Sequence, residues 1–457
     1  MSLKTFSRGG VHPPEHKLSS GNAIVELPPP EVAVIPISQH LGAPAKVLVN
    51  RGDQVMVGQV IAESAGFVST NIHSSVSGKV LKVDLFTDSS GYRKMAVEIQ
   101  VEGDQWLETI DRSDDLVRNT VLPSEDIRKK MLEAGVVGLG GATFPSHVKL
   151  MVPQGKTAEY VIINGVECEP YLTADHALMM EHTAELFSGI QILMKGLGVE
   201  KAIVGIENNK PDAIKKMKEM AAGSKVSVQG LKVKYPQGGE KQLVQALLKR
   251  EVPSGGLPID VGVVVFNVGT ALAAYQAVMK NRPLIDRVVT VTGKSLEKPS
   301  NFRVRIGTPV SYLVEQAGGL PGDTAKVING GPMMGKALPT LNIPVVKGSS
   351  GILLINDKES RRKEVLPCIR CTKCVTVCPM GLEPYLLMNL SEKSLFERME
   401  TEKVLDWIER GVERGYVSTT LAEVFFGNLG GLPRFHGIME KAKRKVEGFA
   451  KGDAACG

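Results

Sequence analysis

The chain of 457 residues has few cysteines, a mild net charge and no long apolar run. Six cysteines, four of them in one cluster, do not suit a disulfide framework and indicate a reducing cytosol. The start, MSLKTFSRGGVHPPEHK, lacks the apolar core of a signal peptide. The longest clean apolar run, around Val261 to Phe266, is far too short to cross a bilayer. A net charge of +6 gives no case for nucleic-acid binding. We therefore expect a protein that is soluble, or held at a membrane only by partner proteins.

The most specific motif is the run CIRCTKCVTVCP, which holds Cys368, Cys371, Cys374 and Cys378. This C-x2-C-x2-C-x3-C-P spacing is typical of a cubane iron–sulfur cluster, because the short loops let the sulfurs converge on one core. Zinc sites usually separate their cysteine pairs by a dozen or more residues, so iron–sulfur is favoured over zinc. In two-cluster ferredoxins a second run of this kind follows, and this chain has none.

The length and the 43% hydrophobic fraction indicate a multidomain globular protein of the α/β class. Strands and turns fill the region from residue 31, and strands alternate with helices from about residue 116, which predicts a largely parallel sheet. The predicted divisions are an extended arm (1–30), a barrel-sandwich hybrid (31–102), an α/β domain (115–290), a β-grasp domain (291–355), a helical iron–sulfur domain (356–425) and a basic tail (426–457).

Four finer expectations concern the elements of these domains. The β-domain resembles a biotinyl or lipoyl carrier, but residues 62–74 contain no lysine for a swinging arm, which favours a docking module. Within the α/β domain we expect a helix capped by Ser124 that stops at Gly135. We also expect a helix to about Lys195 and a strand over KVKYP.

Four polar or glycine-rich segments fall at predicted strand ends or beside them: GLGGATFPSHVK, NGVECEP, YPQGGE and NVGT. Glycines let a backbone approach a phosphate or a ring closely, and ligands of α/β folds bind at the carboxyl ends of strands. The glycine loop does not follow a strand as G-x-G-x-x-G, so it is not the Rossmann dinucleotide fingerprint. Alone it would more often be structural, but four such segments at one sheet edge predict a pocket for a polar cofactor.

These four segments resemble the flavin- and NADH-binding segments of the flavoprotein subunit of respiratory complex I. With the opening FSRGGVHPPEHK, the SSVSGKV β-domain and the cysteine run, the chain to about residue 420 is more similar still to the RnfC family of the Rnf electron-transport complex. The resemblance implies a Rossmann-like FMN/NADH-binding domain, an SLBB-type β-grasp domain and a ferredoxin-like helical domain.

The resemblance also implies roles for individual residues. The FMN phosphate and ribityl chain would be held by Gly138, Gly140, Gly141, Ala142 and Lys149. The isoalloxazine would be lined by Asn164, Glu167, Tyr235, Glu240, Asn267 and Thr270. Phe144 would stack near the nicotinamide, and Glu169 would face the nicotinamide or its ribose. Leu139, Val166 and Gly239 depart from the complex I pattern and remove charge from the site.

Members of the RnfC family usually carry a second cysteine run some forty residues after the first. At that spacing this chain offers Trp407, Arg410, Glu413 and Val417, so the second cluster site is lost. We expect one [4Fe-4S] cluster held by all four thiolates of the run. The alternatives are completion of the cluster by Cys456 or another group, or a three-iron form.

The function expected from the resemblance is electron transfer between NAD(H), through FMN, and an iron–sulfur relay. Its partners would be ferredoxin, the ferredoxin-like RnfB protein and the membrane subunits that move Na+ or H+, with the chain peripheral on the cytoplasmic face of the inner membrane. The chain would have no membrane span of its own and no nucleic-acid partner. The alternatives are a soluble flavin/iron–sulfur reductase of the cobalamin-reductase type, and a scaffold subunit whose nucleotide site has decayed.

Overall fold

The amino-terminal arm is tied into two of the sheets that follow it. The structure, a computed structural model, describes residues 3–361, 366–393 and 395–402. Strand β1 (Ile24–Glu26) pairs in parallel with residues Asn301 to Arg303, far along the chain. Nearer the start, Lys4 bridges to Leu231. The arm is extended, as expected, but it is also part of the sheet structure.

The next region forms two small antiparallel sheets around one core. Its strands are β2 (Val32–Pro36), β3 (Lys46–Val47), β4 (Gln54–Val55), β5 (Val60–Glu63), β6 (Ile72–His73), β7 (Gly78–Thr87) and β8 (Arg93–Val101). The sheets have the orders β2-β8-β7-β4 and β3-β5-β6. Ile35 and Ile99 from the first sheet are buried in the same cluster as Ile61 and Ile72 from the second. This sharing of one core agrees with the expected sandwich.

The central region is a parallel sheet covered by helices. Its elements are α1 (Ser124–Glu133), α2 (Ser146–Lys149), β9 (Tyr160–Gly165), α3 (Ala174–Glu181), α4 (Thr183–Leu197), β10 (Lys201–Glu207), α5 (Pro211–Ala221), β11 (Val226–Leu231), α6 (Glu240–Leu248), a 3-10 turn (Pro258–Val261), β12 (Val263–Asn267) and α7 (Val268–Met279). All strands run parallel, in the order β11-β10-β9-β12. Chain order therefore reverses between β9 and β12, the place where doubly wound folds bind ligands.

Two of the finer expectations for this region are wrong. The strand predicted over KVKYP ends at Leu231, before that segment begins, so YPQGGE lies in a loop beyond the strand end. The helix predicted to about Lys195 is two helices, because the helical backbone is interrupted at His182, between α3 and α4. The helix from Ser124 is present, but Ser124 is its first residue and Pro123 takes the cap position.

A six-stranded mixed sheet follows. Its elements are β13 (Asp286–Thr292), β14 (Ser300–Arg305), α8 (Val310–Gln316), β15 (Thr324–Asn329), β16 (Lys336–Ala337), β17 (Gly351–Asn356) and α9 (Asp357–Ser360). The order is β1-β14-β13-β17-β15-β16, so the arm supplies one edge strand. All of β13 belongs to this sheet, and the boundary predicted at residues 290/291 falls inside that strand.

The described carboxyl-terminal part contains short helices around the cysteine run: α10 (Lys373–Val377), α11 (Pro384–Glu392) and α12 (Phe396–Thr401). Predictions for Trp407, Arg410, Glu413, Val417 and Cys456 lie outside the described residues, as do the rest of the 356–425 domain and the 426–457 tail. None of the helices that the structure describes has the length and apolar character needed to cross a membrane.

The three folded regions meet at a buried lysine. The Lys347 ammonium donates to the carbonyls of Asn71 (3.0 Å) and Gly135 (2.7 Å). Burial lowers the pKa of Lys347 to about 7. The neighbouring His73 is buried too, and burial followed by the charge of Lys347 lowers the pKa of His73 to about 3. At neutral pH this junction therefore holds an uncharged imidazole beside the lysine.

Candidate flavin and nucleotide site

Two asparagines mark the centre of the site, at the carboxyl ends of neighbouring parallel strands. Asn164 near the end of β9 and Asn267 at the end of β12 are register partners. The Asn164 side chain donates to the Gly238 carbonyl (2.8 Å), which ties the YPQGGE loop to the strand end. The Asn267 side chain accepts from the Gly269 amide (2.7 Å) and so caps α7. Three of the predicted segments therefore converge at the strand-order reversal.

The glycine loop lies over this point. Its base is closed by the Gly138 amide, which donates to the Phe144 carbonyl at 2.8 Å. A Cβ added to Gly140 would lie 3.2 Å from the Asn267 Cβ, and Gly141 has a φ of +147°. The loop thus passes close to the strand end with its backbone, in a shape that suits glycine.

Thr270 and Lys149 hold this loop and its neighbours from below. Thr270 is fully buried, and its hydroxyl accepts from the Leu139 amide at 2.9 Å, so it lies behind the loop. The Lys149 ammonium pairs with the Glu240 carboxylate (2.7 Å) and donates to the Val265 carbonyl (2.8 Å). Lys149 and Glu240, predicted from separate segments, are therefore direct partners.

The NGVECEP loop is shaped by its own carboxylates. Glu167 has a φ of +48°, and its carboxylate accepts from the backbone amides of Asp175 (2.7 Å) and His176 (3.3 Å) at the start of α3. Asp175 is hydrogen-bonded to the Asn267 amide at 2.7 Å. Burial, and then the charge of Glu167, raise the pKa of Asp175 to about 7. A chain of polar contacts thus joins Glu167 to Asn267 beneath the site.

Glu169 is held by the β-grasp region. Its carboxylate accepts from the Met333 backbone amide at 3.1 Å. A Cβ added to Gly331 would lie 2.8 Å from the carboxyl carbon of Glu169, closer than Cβ contacts normally come. The 330–335 loop therefore forms one wall of the predicted nicotinamide side.

Two lysines, the half-buried Lys17 and the buried Lys210, support the same loop and were missed from the sequence. The Lys17 ammonium donates to the carbonyls of Glu167 (2.9 Å), Glu169 (2.9 Å) and Leu172 (2.6 Å). Burial lowers the pKa of Lys17, and the Glu167 charge opposes this. Lys210 donates to the Val166 carbonyl at 2.9 Å. Lys17 ends the opening segment FSRGGVHPPEHK, to which no site role was assigned, and it reaches the loop only because the arm folds back.

The remaining predicted residues line the edges of the site. Tyr235 is half-buried, and its backbone pairs with Val11 of the arm. Ala142 and Phe144 are half-buried in the glycine loop. Cys168 lies against the YPQGGE loop, since a Cβ added to Gly238 would be 3.2 Å from its sulfur.

The last predicted site residues lie in the cysteine segment, residues 368–378. Cys368 and Cys371 are exposed, whereas Cys374 and Cys378 are half-buried. Arg370 and Thr372, between the cysteines, have φ values of +55° and +60°, so the chain turns sharply there. Within residues 3–361, 366–393 and 395–402, no three His, Cys, Asp or Glu side chains are gathered as a metal-ligand set. The fit to iron–sulfur rests on the thiol donors and their spacing.

Three family models match successive parts of the chain. They are the RnfC barrel sandwich hybrid domain (residues 4–104), the Nuo51 FMN-binding domain (131–276) and the SLBB domain (288–337). They confirm the barrel-sandwich, FMN-domain and β-grasp expectations, and none of these three models covers the cysteine run.

Whole-chain relatives are similar over most of their length. The C subunit of a proton-translocating ferredoxin:NAD+ oxidoreductase complex from Clostridium ljungdahlii is 47% identical over 88% of this chain and 87% of the relative. The C subunit of a Na+-translocating ferredoxin:NAD+ oxidoreductase complex from Acetobacterium woodii is 44% identical over 87% and 90%. The C subunit of an ion-translocating oxidoreductase complex from Rhodobacter capsulatus is 42% identical over 84% and 75%. The chain therefore belongs to the RnfC family, the C subunits of Rnf-type ion-translocating oxidoreductase complexes.

Proposed function

We propose that the chain is the electron-transfer subunit of an Rnf-type complex, a ferredoxin:NAD+ oxidoreductase whose partner subunits translocate ions. The observation that carries this proposal is the convergence of the four predicted segments at the β9/β12 strand ends, in a chain of this family. FMN, when bound, would exchange a hydride with the nicotinamide and pass single electrons onward.

The residues around the strand ends suit FMN. The glycine loop offers a backbone without side chains at Gly138, Gly140 and Gly141, where a phosphate and ribityl chain need close approach. Lys149 supplies a positive charge beside the loop, with Glu240 as its present partner. Asn164 and Asn267 would line the ring from the strand ends, where they also hold the neighbouring loops, and Thr270 fixes the glycine loop from behind.

The nicotinamide side would be formed by Phe144 and Glu169. Phe144 is half-buried at the base of the glycine loop, with surface left for stacking. The Glu169 carboxylate, which accepts from the Met333 amide, would face the nicotinamide or its ribose. Its contact with the β-grasp loop means that two regions of the chain would share the binding of NAD(H).

For the metal centre we propose one [4Fe-4S] cluster on Cys368, Cys371, Cys374 and Cys378. The second run of the family is replaced in the sequence by residues without thiols. Iron and sulfide analysis with low-temperature EPR of the reconstituted chain tests this proposal. About four irons per chain and one cubane signal are expected, whereas eight irons or two interacting signals would contradict the single cluster.

The partners would be the membrane subunits, the ferredoxin-like RnfB protein and ferredoxin, with this chain on the cytoplasmic face of the inner membrane. Ion translocation would belong to the membrane subunits. The relatives at 47% and 44% identity are named for protons and for Na+ respectively, so similarity to them does not choose the ion.

The decisive experiment combines flavin content with NADH oxidation. The purified chain should bind about one FMN and reduce an artificial acceptor with NADH. Lys149→Met should lower FMN affinity about tenfold or more by removing the loop's positive charge. Lys156→Met removes a lysine that pairs with Asp260 on the surface, and should leave FMN affinity unchanged.

The same assays separate the alternatives. A chain that binds neither FMN nor NADH would be the scaffold subunit. A chain that is active but fails to associate with the membrane subunits in a co-purification would be a soluble reductase of the cobalamin-reductase type. Both alternatives are disfavoured by the whole-chain similarity to the C subunits of ion-translocating complexes.

A further inference from the structure

We propose that residues 8–11 of the arm, here called the docking segment, fix the cysteine segment against the YPQGGE loop of the proposed flavin site. The docking segment hydrogen-bonds on one side to the cysteine segment and on the other to Tyr235. The inference rests on the proposed function, because it assigns these residues the task of setting the separation between cluster and flavin.

The docking segment meets Val377 and Cys378 through its backbone. The Gly10 amide donates to the Val377 carbonyl at 2.8 Å. A Cβ added to Gly9 would lie 2.7 Å from the Val377 oxygen and from the carbonyl carbon and oxygen of Cys378. Gly9 and Gly10 have φ values of +65° and +93°. Both close approach and left-handed backbone therefore require glycine at Gly9.

Side chains widen this contact on both flanks. The Arg8 guanidinium covers Gly381, where an added Cβ would collide with it. From the α/β region, the Gln242 amide lies 3.9 Å from the sulfur of Met380. The turn after Cys378 is thus enclosed by the arm on one side and by α6 on the other.

The opposite side of the docking segment contacts the YPQGGE loop. Val11 and Tyr235 exchange two backbone hydrogen bonds, each of 2.8 Å. The arm is anchored just before this point, because the Lys4 amide donates to the Gly230 carbonyl (3.1 Å) and the Lys4 carbonyl accepts from the Lys232 amide (2.9 Å). The arm that holds the docking segment is therefore attached to β11, the edge strand of the parallel sheet.

A short path follows from these two sets of contacts. It runs from Cys378 through the Val377 carbonyl to the Gly10 amide, then through Val11 to the backbone of Tyr235. Cys378 is a proposed cluster ligand and Tyr235 a proposed flavin residue. Redox groups that must exchange electrons need a fixed separation, and here backbone contacts flanked by the Arg8 and Gln242 side chains fix it.

A pair of matched glycine variants tests the docking. Gly9→Ala and Gly21→Ala both place a Cβ on left-handed backbone of the same arm, but Gly21 has nothing within 4 Å of that Cβ. In Gly9→Ala, hydrogen exchange at the Gly10 amide and across residues 373–381 should be faster than in Gly21→Ala by about tenfold or more. Equal exchange in the two variants would overturn the proposal.

Single-turnover reduction supplies the second readout. In Gly9→Ala, NADH should reduce bound FMN at the rate of Gly21→Ala, while the following reduction of the cluster slows about tenfold or more. Flavin and iron contents are measured first and should be equal in both variants. Unchanged cluster reduction in Gly9→Ala would refute the positioning role.

A third variant guards against misfolding of Gly9→Ala. Arg8→Ala adds no atoms and leaves the backbone free, yet it uncovers Gly381, so faster exchange over residues 373–381 is expected here too. No change in Arg8→Ala, together with a misfolded Gly9→Ala, would refute the docking. Absence of flavin and iron from the wild-type chain would instead refute the proposed function, and the exchange experiment would still decide the docking.

Discussion

Replacing Lys17 by methionine should destabilise the NGVECEP loop and the whole fold. The side chain keeps its length but loses an ammonium that donates to three backbone carbonyls, at 2.9, 2.9 and 2.6 Å. A hydrogen bond from a charged donor contributes about 1.5–3 kcal/mol, and three on one ammonium are not additive. Leaving these backbone carbonyls without their donor costs about 1–3 kcal/mol in desolvation. We therefore expect Lys17→Met to lower the free energy of unfolding by about that amount.

The assay is urea unfolding of the flavin-free chain at neutral pH, followed by titration with FMN. Lys46→Met is the matched control, because Lys46 is an exposed lysine with one weak ion pair of 3.9 Å. Since Glu167 is held at a φ of +48° in the clamped loop, FMN affinity should also fall in Lys17→Met. An unfolding free energy within about 0.5 kcal/mol of the control would refute a stabilising role for the Lys17 contacts, because surface substitutions fall in that range.

Three further outcomes are expected. Gly331→Ala should raise the KM for NADH about tenfold without lowering FMN content, since its Cβ would displace the Glu169 carboxylate. His73→Asn should remove part of the acid sensitivity of unfolding. The folded-state pKa of His73 is about 3, below the ordinary 6.5, so its stabilisation is present above pH 6.5 and is lost as pH falls towards 3; the loss by pH 5 is about 2 kcal/mol. Cys378→Ser should lower bound iron to less than half, as judged by iron analysis.

Each of these has its own check. Gly322→Ala adds a Cβ with nothing within 4 Å in the same region, and a KM change as large as that of Gly331→Ala would contradict the wall role. Equal loss of stability between pH 7 and pH 5 in His73→Asn and the wild type would exclude His73 as the source. Cys168→Ser should keep full iron, and full iron in Cys378→Ser would remove Cys378 from the ligand set.

The sheet and its cleft were predictable from local pattern. Buried strands such as VGVVVFNV end in polar residues, and parallel strands bring their carboxyl ends to one edge, so Asn164 and Asn267 were expected near each other. The loops that follow these strands carry glycines and carboxylates in short, readable segments. This is information that lies within a few residues of each strand end.

What escaped prediction depends on contacts between distant parts of the chain. Lys17 ends the opening segment FSRGGVHPPEHK, but only the folded path shows that it binds the loop around Glu167. The break at His182 has no proline or glycine to mark it, and Arg303 of the β-grasp region contacts that histidine at 2.6 Å. The strand expected over KVKYP was lost because Lys234 and Tyr235 pair with other partners, Glu207 and the arm.

The arm also sets an order on folding. Gly10 can reach its partner only after Val377 has been synthesised, and β1 can enter its sheet only after Asn301. At synthesis rates of roughly 5–20 residues per second, Gly10 waits on the order of 20–75 seconds for Val377. Lys4 does not share this wait, because its partners Gly230 and Lys232 are made well before Val377. The arm can thus join the parallel sheet first, while its docking segment, made among the earliest residues, reaches its partner only after most of the chain has been made.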